Sequence, residues 1–311
     1  MTLNNPLLKF YSKKYCLPVY SGTLAIEGVL KTLDLPSNSK VLISSIACYS
    51  ILEAVLNSGF KPIIAIPKNG ILFTKLELEN IIKKENIKIY IAVHQYGYYQ
   101  ELPKCKNLII IEDFSQAWNI KSETQCVSKN SDYIITSLGS TKPLNNGIGG
   151  LILSDNYFIE KFDLKMKKDR YKDFCLIEYY YPLKINYKKI IKNANKKVRK
   201  QRKNANYYNE IFRKYSFINI FNINKITPSY HRYIISVEKE HLERIIKILD
   251  RCKIMYQKEY KLKLDEIPLT KSKKIKVIGE NNNLIFLLLK TENSILNLTK
   301  LSKEMEKTYG T

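Results

Sequence analysis

The feature that most constrains this chain is a series of short runs built almost wholly from aliphatic residues. They fall at residues 41–45, 62–66, 88–93, 107–111, 133–137 and 151–154. A strand that faces water on one side alternates apolar and polar residues; a strand covered on both faces does not. These runs therefore predict a mainly parallel sheet with helices on both faces. Helical patterns lie between them, at residues 23–33, 51–56 and 76–84. In the first of these, Leu24, Ala25, Val29, Leu30 and Leu33 recur at the period of one helix face. Strand and helix in alternation predict an α/β fold with right-handed crossovers.

The second half changes character. Residues 160–187 are charged and aromatic, with Tyr179-Tyr180-Tyr181-Pro182 at their centre. A long basic helix is predicted over 188–215, a strand over 232–237, a helix over 240–250, a strand over 284–289 and a helix over 294–307. This predicts a large domain over 1–187 and a smaller α+β domain over 188–311, joined by the long helix.

Composition narrows the function classes. The 311 residues contain 52 Lys and Arg against 29 Asp and Glu, a formal net charge of +23. Charge of that sign attracts polyanions whatever the fold. However, the excess is spread along a chain also rich in Asn, Ile and Tyr, so it reads chiefly as solvated faces rather than a nucleic-acid site. Six cysteines without a CxxC pair, and only three histidines, give no metal-ligand spacing. The cysteines read as free thiols in a reducing compartment. No leader-like apolar stretch opens the chain and no run reaches membrane-spanning length, so a cytoplasmic protein is expected.

Four polar segments end strands or start helices, where open α/β sheets bind ligands. Ser21-Gly22-Thr23 precedes a helix, and free N–H groups at such a terminus favour a phosphate; the bland alternative is an ordinary N-cap. Glu112 and Asp113 end a run of isoleucines, where a buried carboxylate needs donors or a cation, a protonated heterocycle being one; the alternative is again a cap. Residues 132–150 lead a strand into a polar loop with Ser137, Ser140, Thr141 and Lys142, then a glycine cluster. Pro143 predicts an extended Lys142, and a lysine in such a pocket can condense with a carbonyl. The alternative is one surface lysine among many. The fourth segment is Val93-His94-Gln95-Tyr96-Gly97.

In order and spacing these segments resemble the DegT/DnrJ/StrS family of sugar aminotransferases, within fold type I of the pyridoxal-phosphate enzymes. Ser21-Gly22-Thr23 matches that family's SGT, and Val93-His94-Gln95-Tyr96-Gly97 its VHLYG. Residues Ile111 to Ala117 match IEDAAQA. Asp132, Ser137, Lys142 and Gly147-Ile148-Gly149-Gly150 match its GD, FSF, K and GEGG. Lys184-Ile185-Asn186-Tyr187-Lys188 is loosely similar to GYNYR, and Ser229 to Tyr233 resembles the start of the small-domain strand.

The resemblance implies pyridoxal 5'-phosphate as cofactor. Lys142 would hold it and move a proton during reaction, and Asp113 would pair with its ring nitrogen. Gln116 would contact its phenolic oxygen, and Gly22, Thr23 and Ser137 its phosphate. Cys48 stands at the ring-stacking position, which is commonly aromatic. Asn186 would reach the phosphate of a partner subunit, because the family's sites lie at a homodimer interface. The implied reaction passes an amino group, from glutamate by family habit, to a keto-sugar that is nucleotide-linked, in amino-sugar and surface-glycan biosynthesis. Related dehydratases carry histidine at the lysine position. Ile148 in place of the GEGG glutamate and a short segment before Ser21 depart from the family pattern. They point to the alternative of a non-catalytic structural or regulatory member; the charge points to the less favoured one of a nucleic-acid-binding protein. His231 and His241 read as surface or packing residues and Trp118 as structural; residues 179–187 read as an interface, with stacking on a sugar or base as the alternative; the basic face of the long helix reads as solvated.

Overall fold

The computed structural model describes residues 5–122, 128, 130–170, 184–221, 226–258, 263–279 and 286–310. The first half contains α1 (Pro6–Tyr11), β1 (Tyr15–Val19), α2 (Gly22–Thr32), β2 (Lys40–Ser44), α3 (Tyr49–Asn57), β3 (Lys61–Ala65), α4 (Lys75–Glu85), β4 (Ile89–Val93), β5 (Ile109–Asp113), β6 (Lys121–Ser122), β7 (Tyr133–Ser137), β8 (Gly150–Ser154) and α5 (Ile159–Arg170). There follow α6 (Tyr187–Phe212), β9 (Ile218–Ile220), β10 (Ile226–Thr227), β11 (Tyr233–Val237), α7 (Lys239–Arg251), β12 (Tyr256–Lys258), α8 (Pro268–Ser272), β13 (Lys276–Ile278), β14 (Phe286–Leu289) and α9 (Ile295–Tyr309).

One eight-stranded sheet runs in the order β1-β8-β7-β5-β4-β2-β3-β13. From β7 to β13 every neighbouring pair is parallel, and β8 and β1 close one side antiparallel. The expected α/β fold is thus present, with all six predicted strands. Their apolar runs divide between two faces. Val41, Ile43, Ile89, Ile91 and Ile135 face one core with α2 and α3. Leu42, Tyr90 and Ala92 face a second core with α4, and Ile134 and Leu151 a third with α1 and α6. Burial on both sides is why the strands carry no polar alternation.

The predicted strand over 107–111 lies two residues further on, at Ile109–Asp113. Glu112 and Asp113 therefore belong to the sheet and not to the loop after it. Strand β1, YCLPV, lacks an unbroken aliphatic run and is not among the predicted strands; it carries Pro18. The proline is tolerated at the edge, where β1 has the single neighbour β8.

The small sheet is antiparallel, in the order β12-β14-β11-β9, and packs with α7, α9 and the second half of α6. Helix α6 starts at the expected division near residue 188 and enters both bodies. Ile190, Ala194 and Val198 pack beside the large sheet, whereas Ala205, Tyr208, Ile211 and Phe212 pack in the small core. Between β12 and β14 the chain returns to the large sheet: Leu264 and Ile267 join its core, and β13 pairs parallel with β3. The aromatic stretch at 171–183 lies outside the described residues.

Helices α2 and α5 approach through Gly28, where an added Cβ would lie 2.0 Å from Phe162 Cε2. Gly28→Ala is expected to lower unfolding free energy by about 1–3 kcal/mol through overpacking, despite alanine's better helix propensity. Urea denaturation would check this; an unchanged midpoint would refute the close contact.

Candidate active site

The parallel strands β2, β4, β5 and β7 deliver their C-terminal ends to one edge of the sheet, beside the N-terminus of α2. There Ser21, Gly22, Thr23, Cys48, Val93, Asp113, Ser115, Gln116, Ser137 and Lys142 line a cavity of about 150 Å³, with Ile26, Ser50 and Ile51 completing its wall. Asn186, expected at the phosphate of a partner subunit, lies outside this chain's own cavity. Its side chain accepts from Lys189 N–H at 3.0 Å and caps α6.

The helix end is built by close backbone approach. Ser21 Oγ accepts from Leu24 N–H at 3.1 Å, and Ser21 C=O from Ala25 N–H. Ser21 is thus the cap, while the N–H groups of Gly22 and Thr23 have no acceptor among the described residues. Both readings of this segment hold at once: a cap and a pair of free donors at the positive end of a helix. An added Cβ on Gly22 would meet Ser137 Cβ at 3.1 Å. One on Gly150 would lie 2.5 Å from the carbonyl carbon and oxygen of Ser21. Glycine at 150 lets the start of β8 touch the turn that feeds α2. Ser115 is a member the sequence reading passed over: its Oγ accepts from Ser137 N–H at 3.1 Å and ties β7 to the loop after β5.

Asp113 is buried, and Oδ1 accepts from Ser115 N–H at 2.8 Å. Gln116 Oε1 accepts from Tyr96 N–H at 3.1 Å, which leaves the Gln116 amide NH2 to donate into the cavity. Lys142 is half-buried, and its Nζ has no hydrogen bond or ion pair among the described residues. Its N–H closes the turn that precedes Pro143. Lys142 N–H donates to Gly139 C=O at 3.0 Å, so the lysine is the last residue of a tight turn. Cys48 is exposed, heads α3 without a side-chain cap, and accepts from Ser50 Oγ at 3.2 Å.

Behind Asp113 sits a fully buried pair: His94 Nε2 lies 2.9 Å from Glu112 Oε2. Gln100 N–H donates to His94 Nδ1 at 3.1 Å, so the ring proton resides on Nε2 and points at the carboxylate. His94 N–H in turn donates to Asp113 C=O. The motif that contains His94 thus supports the site from beneath instead of lining it, apart from Val93.

His231 lies where the start of β11 meets the large sheet. Ser229 N–H donates to Gly97 C=O at 2.8 Å and Arg232 N–H to Tyr96 C=O at 3.1 Å, strapping the start of β11 onto the large domain. Gly97, at φ 88°, leaves no room there for a side chain. Burial, and then the charges of Arg232, Lys197 and Lys142, pull the His231 imidazole down to about 3. Its Nδ1 is buried without a partner. Trp118 and His241 do pack: the Trp118 indole donates to Asn195 Oδ1 at 2.9 Å, and His241 stacks on Phe217 at 3.9 Å. Among the described residues no group of His, Cys, Asp or Glu is placed to hold a metal, and no helix is long and apolar enough to cross a membrane.

Comparison with known proteins agrees with this geometry. The sequence profile of the DegT/DnrJ/EryC1/StrS aminotransferase family matches residues 2–169. The chain belongs to that family. It is 24% identical over 151 residues to the GDP-perosamine synthase of Escherichia coli O157:H7, covering 46% of this chain and 41% of that protein. The chain thus matches less than half the length of this curated relative. Among solved structures it resembles a DegT DnrJ EryC1 StrS aminotransferase from Brucella abortus, with a TM-score of 0.77, 17% identity, and 98% of this chain and 89% of the other covered. It also resembles Helicobacter pylori PseC, an aminotransferase involved in the biosynthesis of pseudoaminic acid (TM-score 0.74, 18% identity, 98% and 89% covered). At these identities the structures establish the fold, which is the fold type I architecture the sequence resemblance implied.

Two outcomes are expected. Gly150→Ala should displace Ser21 and Gly22 and weaken binding of phosphate-bearing ligands at least about tenfold, with the far-ultraviolet circular dichroism unchanged. Titration of wild type and variant would check it. The depressed His231 binds its proton less readily folded than unfolded. Its contribution to stability is therefore complete above about pH 6.5 and is lost progressively as pH falls towards 3. Urea midpoints should fall less steeply between pH 6.5 and 5 for His231→Gln than for wild type; equal slopes would refute a neutral His231.

Proposed function

We propose that this chain is a pyridoxal-phosphate-dependent aminotransferase acting on a keto-sugar. The observation that carries the reading is the convergence, around one cavity, of a free lysine amine, a buried carboxylate and an uncapped pair of helix N–H groups. These match the three chemical demands of the cofactor: an amine for its aldehyde, an anion for its ring nitrogen, and donors for its phosphate. Relatives support the cofactor, because one solved neighbour, from Bacillus subtilis, holds pyridoxamine phosphate and another, an Escherichia coli sugar dehydratase, holds hydrated pyridoxal phosphate.

When bound, pyridoxal phosphate supplies an aldehyde that takes up amines and a ring that accepts the charge left on the neighbouring carbon. The protein's part is positional and protolytic. Gly22 and Thr23 N–H, with Ser137 Oγ, hold the phosphate. Asp113, kept in place by Ser115 N–H, keeps the ring nitrogen protonated. Gln116 donates its amide to the phenolic oxygen. The apolar side chains of Ile26, Ile51 and Val93 exclude water from part of the pocket. Cys48 stands where relatives carry a ring-stacking aromatic, so its thiol covers less of the ring. Lys142 Nζ would hold the cofactor through its amine and, once released, would be the base that takes up and returns a proton at the substrate carbon.

Glutamate as donor, a nucleotide-linked sugar as acceptor, a role in amino-sugar and surface-glycan biosynthesis and a cytoplasmic setting follow the family and the GDP-perosamine synthase relatives. A homodimer with shared sites fits the exposed apolar residues at the cavity rim: Tyr20 beside Ser21, Tyr49 beside Cys48, and Ile148 beside Gly149, whose backbone bridges Ser21. In such a dimer Asn186 would offer its amide NH2 to the neighbour's phosphate while its oxygen stays on α6.

The test is the visible spectrum with added pyridoxal phosphate. Wild type should show a protein-bound band that bleaches with glutamate, and Lys142→Ala should lack it. Asp113→Asn should keep the band and lower kcat on the order of a hundredfold or more. Absence of any band in wild type at saturating cofactor would sink the reading.

A further inference from the structure

Helix α6 has one face that nothing in the fold explains. Its 26 residues carry a single acid, Glu210, against a dense set of lysines and arginines. Lys188, Lys192, Lys196, Arg199 and Lys203 are all exposed. Successive helical residues turn by 100°, so these five fall within about 80° of arc along about 22 Å of axis. Among the described residues none of the five forms an ion pair or a side-chain hydrogen bond. The basic residues of α6 that do have side-chain partners lie off this arc: Lys197 pairs with Glu292, Lys200 donates to the Glu292 carbonyl, and Arg202 donates to Asn119, Thr227 and Pro228 carbonyls. The stripe is therefore an aligned row of unpaired cations on a rigid rod.

The rod cannot leave the body. Ile190, Ala194, Val198, Ala205, Tyr208 and Phe212 bury its other side along nearly its whole length. A helix so embedded cannot enter a duplex groove about 8.5 Å deep, and no aromatic ring is interleaved in the row to stack single-stranded bases. A flat anionic surface makes neither demand. At the stripe's border, the indole of Trp118 bonds Asn195 of α6 and Phe10 stacks on that indole at 4.3 Å. Phe10 remains 39% exposed beside the exposed Lys9. An apolar ring flanked by cations is the pattern of a surface that rests on lipid headgroups.

We propose that the exposed face of α6, with Phe10 at its edge, docks the protein on an anionic lipid bilayer by peripheral, electrostatic contact. The contact is independent of the cofactor site and would bring a soluble-substrate enzyme to a membrane face without insertion.

The test is co-sedimentation of the full chain with vesicles of phosphatidylcholine alone or mixed with phosphatidylserine, across a salt series. A second variant separates the stripe from bulk charge. The stripe variant carries Lys192→Gln, Lys196→Gln, Arg199→Gln and Lys203→Gln. The control carries Lys83→Gln, Lys84→Gln, Lys106→Gln and Lys271→Gln, which are exposed lysines of the large domain and remove the same charge. Wild type should bind the mixed vesicles in a salt-sensitive manner and leave the neutral ones in solution. Each cation near such a surface adds roughly fivefold in affinity, so the stripe variant should lose at least about a hundredfold and the control far less. No binding of wild type to the mixed vesicles overturns the proposal. So does equal loss in both variants, or stripe-dependent binding to DNA that exceeds binding to vesicles at matched phosphate.

Discussion

A sheet covered on both faces can carry polar side chains only at the ends of its strands, and the rest of this structure follows from that constraint. In the middle of β2, β4, β5 and β7 an uncompensated polar group would have no water and no partner. The exceptions are paired, as His94 and Glu112 are. At the C-terminal ends the chain turns out of the sheet, and Asp113, Ser137 and the loops carrying Cys48 and Lys142 collect on one edge. The cavity lies where burial stops, beside the positive end of α2.

Glycine decides how tightly that edge closes. The carbonyl of Ser21 lies where a Cβ of residue 150 would be, and Ser137 packs against Gly22. These contacts set the helix terminus against the strand ends at a spacing that side chains would prevent. Behind them, the His94–Glu112 pair joins β4 to β5 without direct contact with the cavity. A buried pair of this kind is costly to break, because either partner left alone is a desolvated polar group. It holds the strand end that carries Asp113, and it does so from a position where water cannot compete.

The second body is tied to the site by more than the long helix. The backbone of Ser229 to Arg232 is bonded to Tyr96 and Gly97, Leu264 N–H donates to Ser45 C=O beneath the Cys48 loop, and β13 extends the large sheet. His231 is thereby buried, and that burial, then the charges of Arg232, Lys197 and Lys142, lowers the pKa of its imidazole. The second half of the chain thus shares backbone hydrogen bonds with the loops that end the large-sheet strands.

The sequence by itself determined the kind of fold and most of the cavity's lining. Unbroken apolar runs specify doubly covered strands, and Ser21, Asp113, Ser137 and Lys142 stand out because they interrupt that pattern at its ends. Local pattern could not determine what depends on approach between distant segments. Strand β1 lacks the unbroken aliphatic run of the others, and only its pairing with β8 makes it a strand. The turn at Lys142 is closed by a hydrogen bond that no propensity records. Asn186 caps its own helix, a competition between partners settled by geometry. Ser115 joined the site only when β7 was laid beside β5. The fold carried His231, across more than eighty residues of chain, to the neighbourhood of Lys142. Periodicity is a property of neighbours in sequence, whereas these contacts are made by neighbours in space.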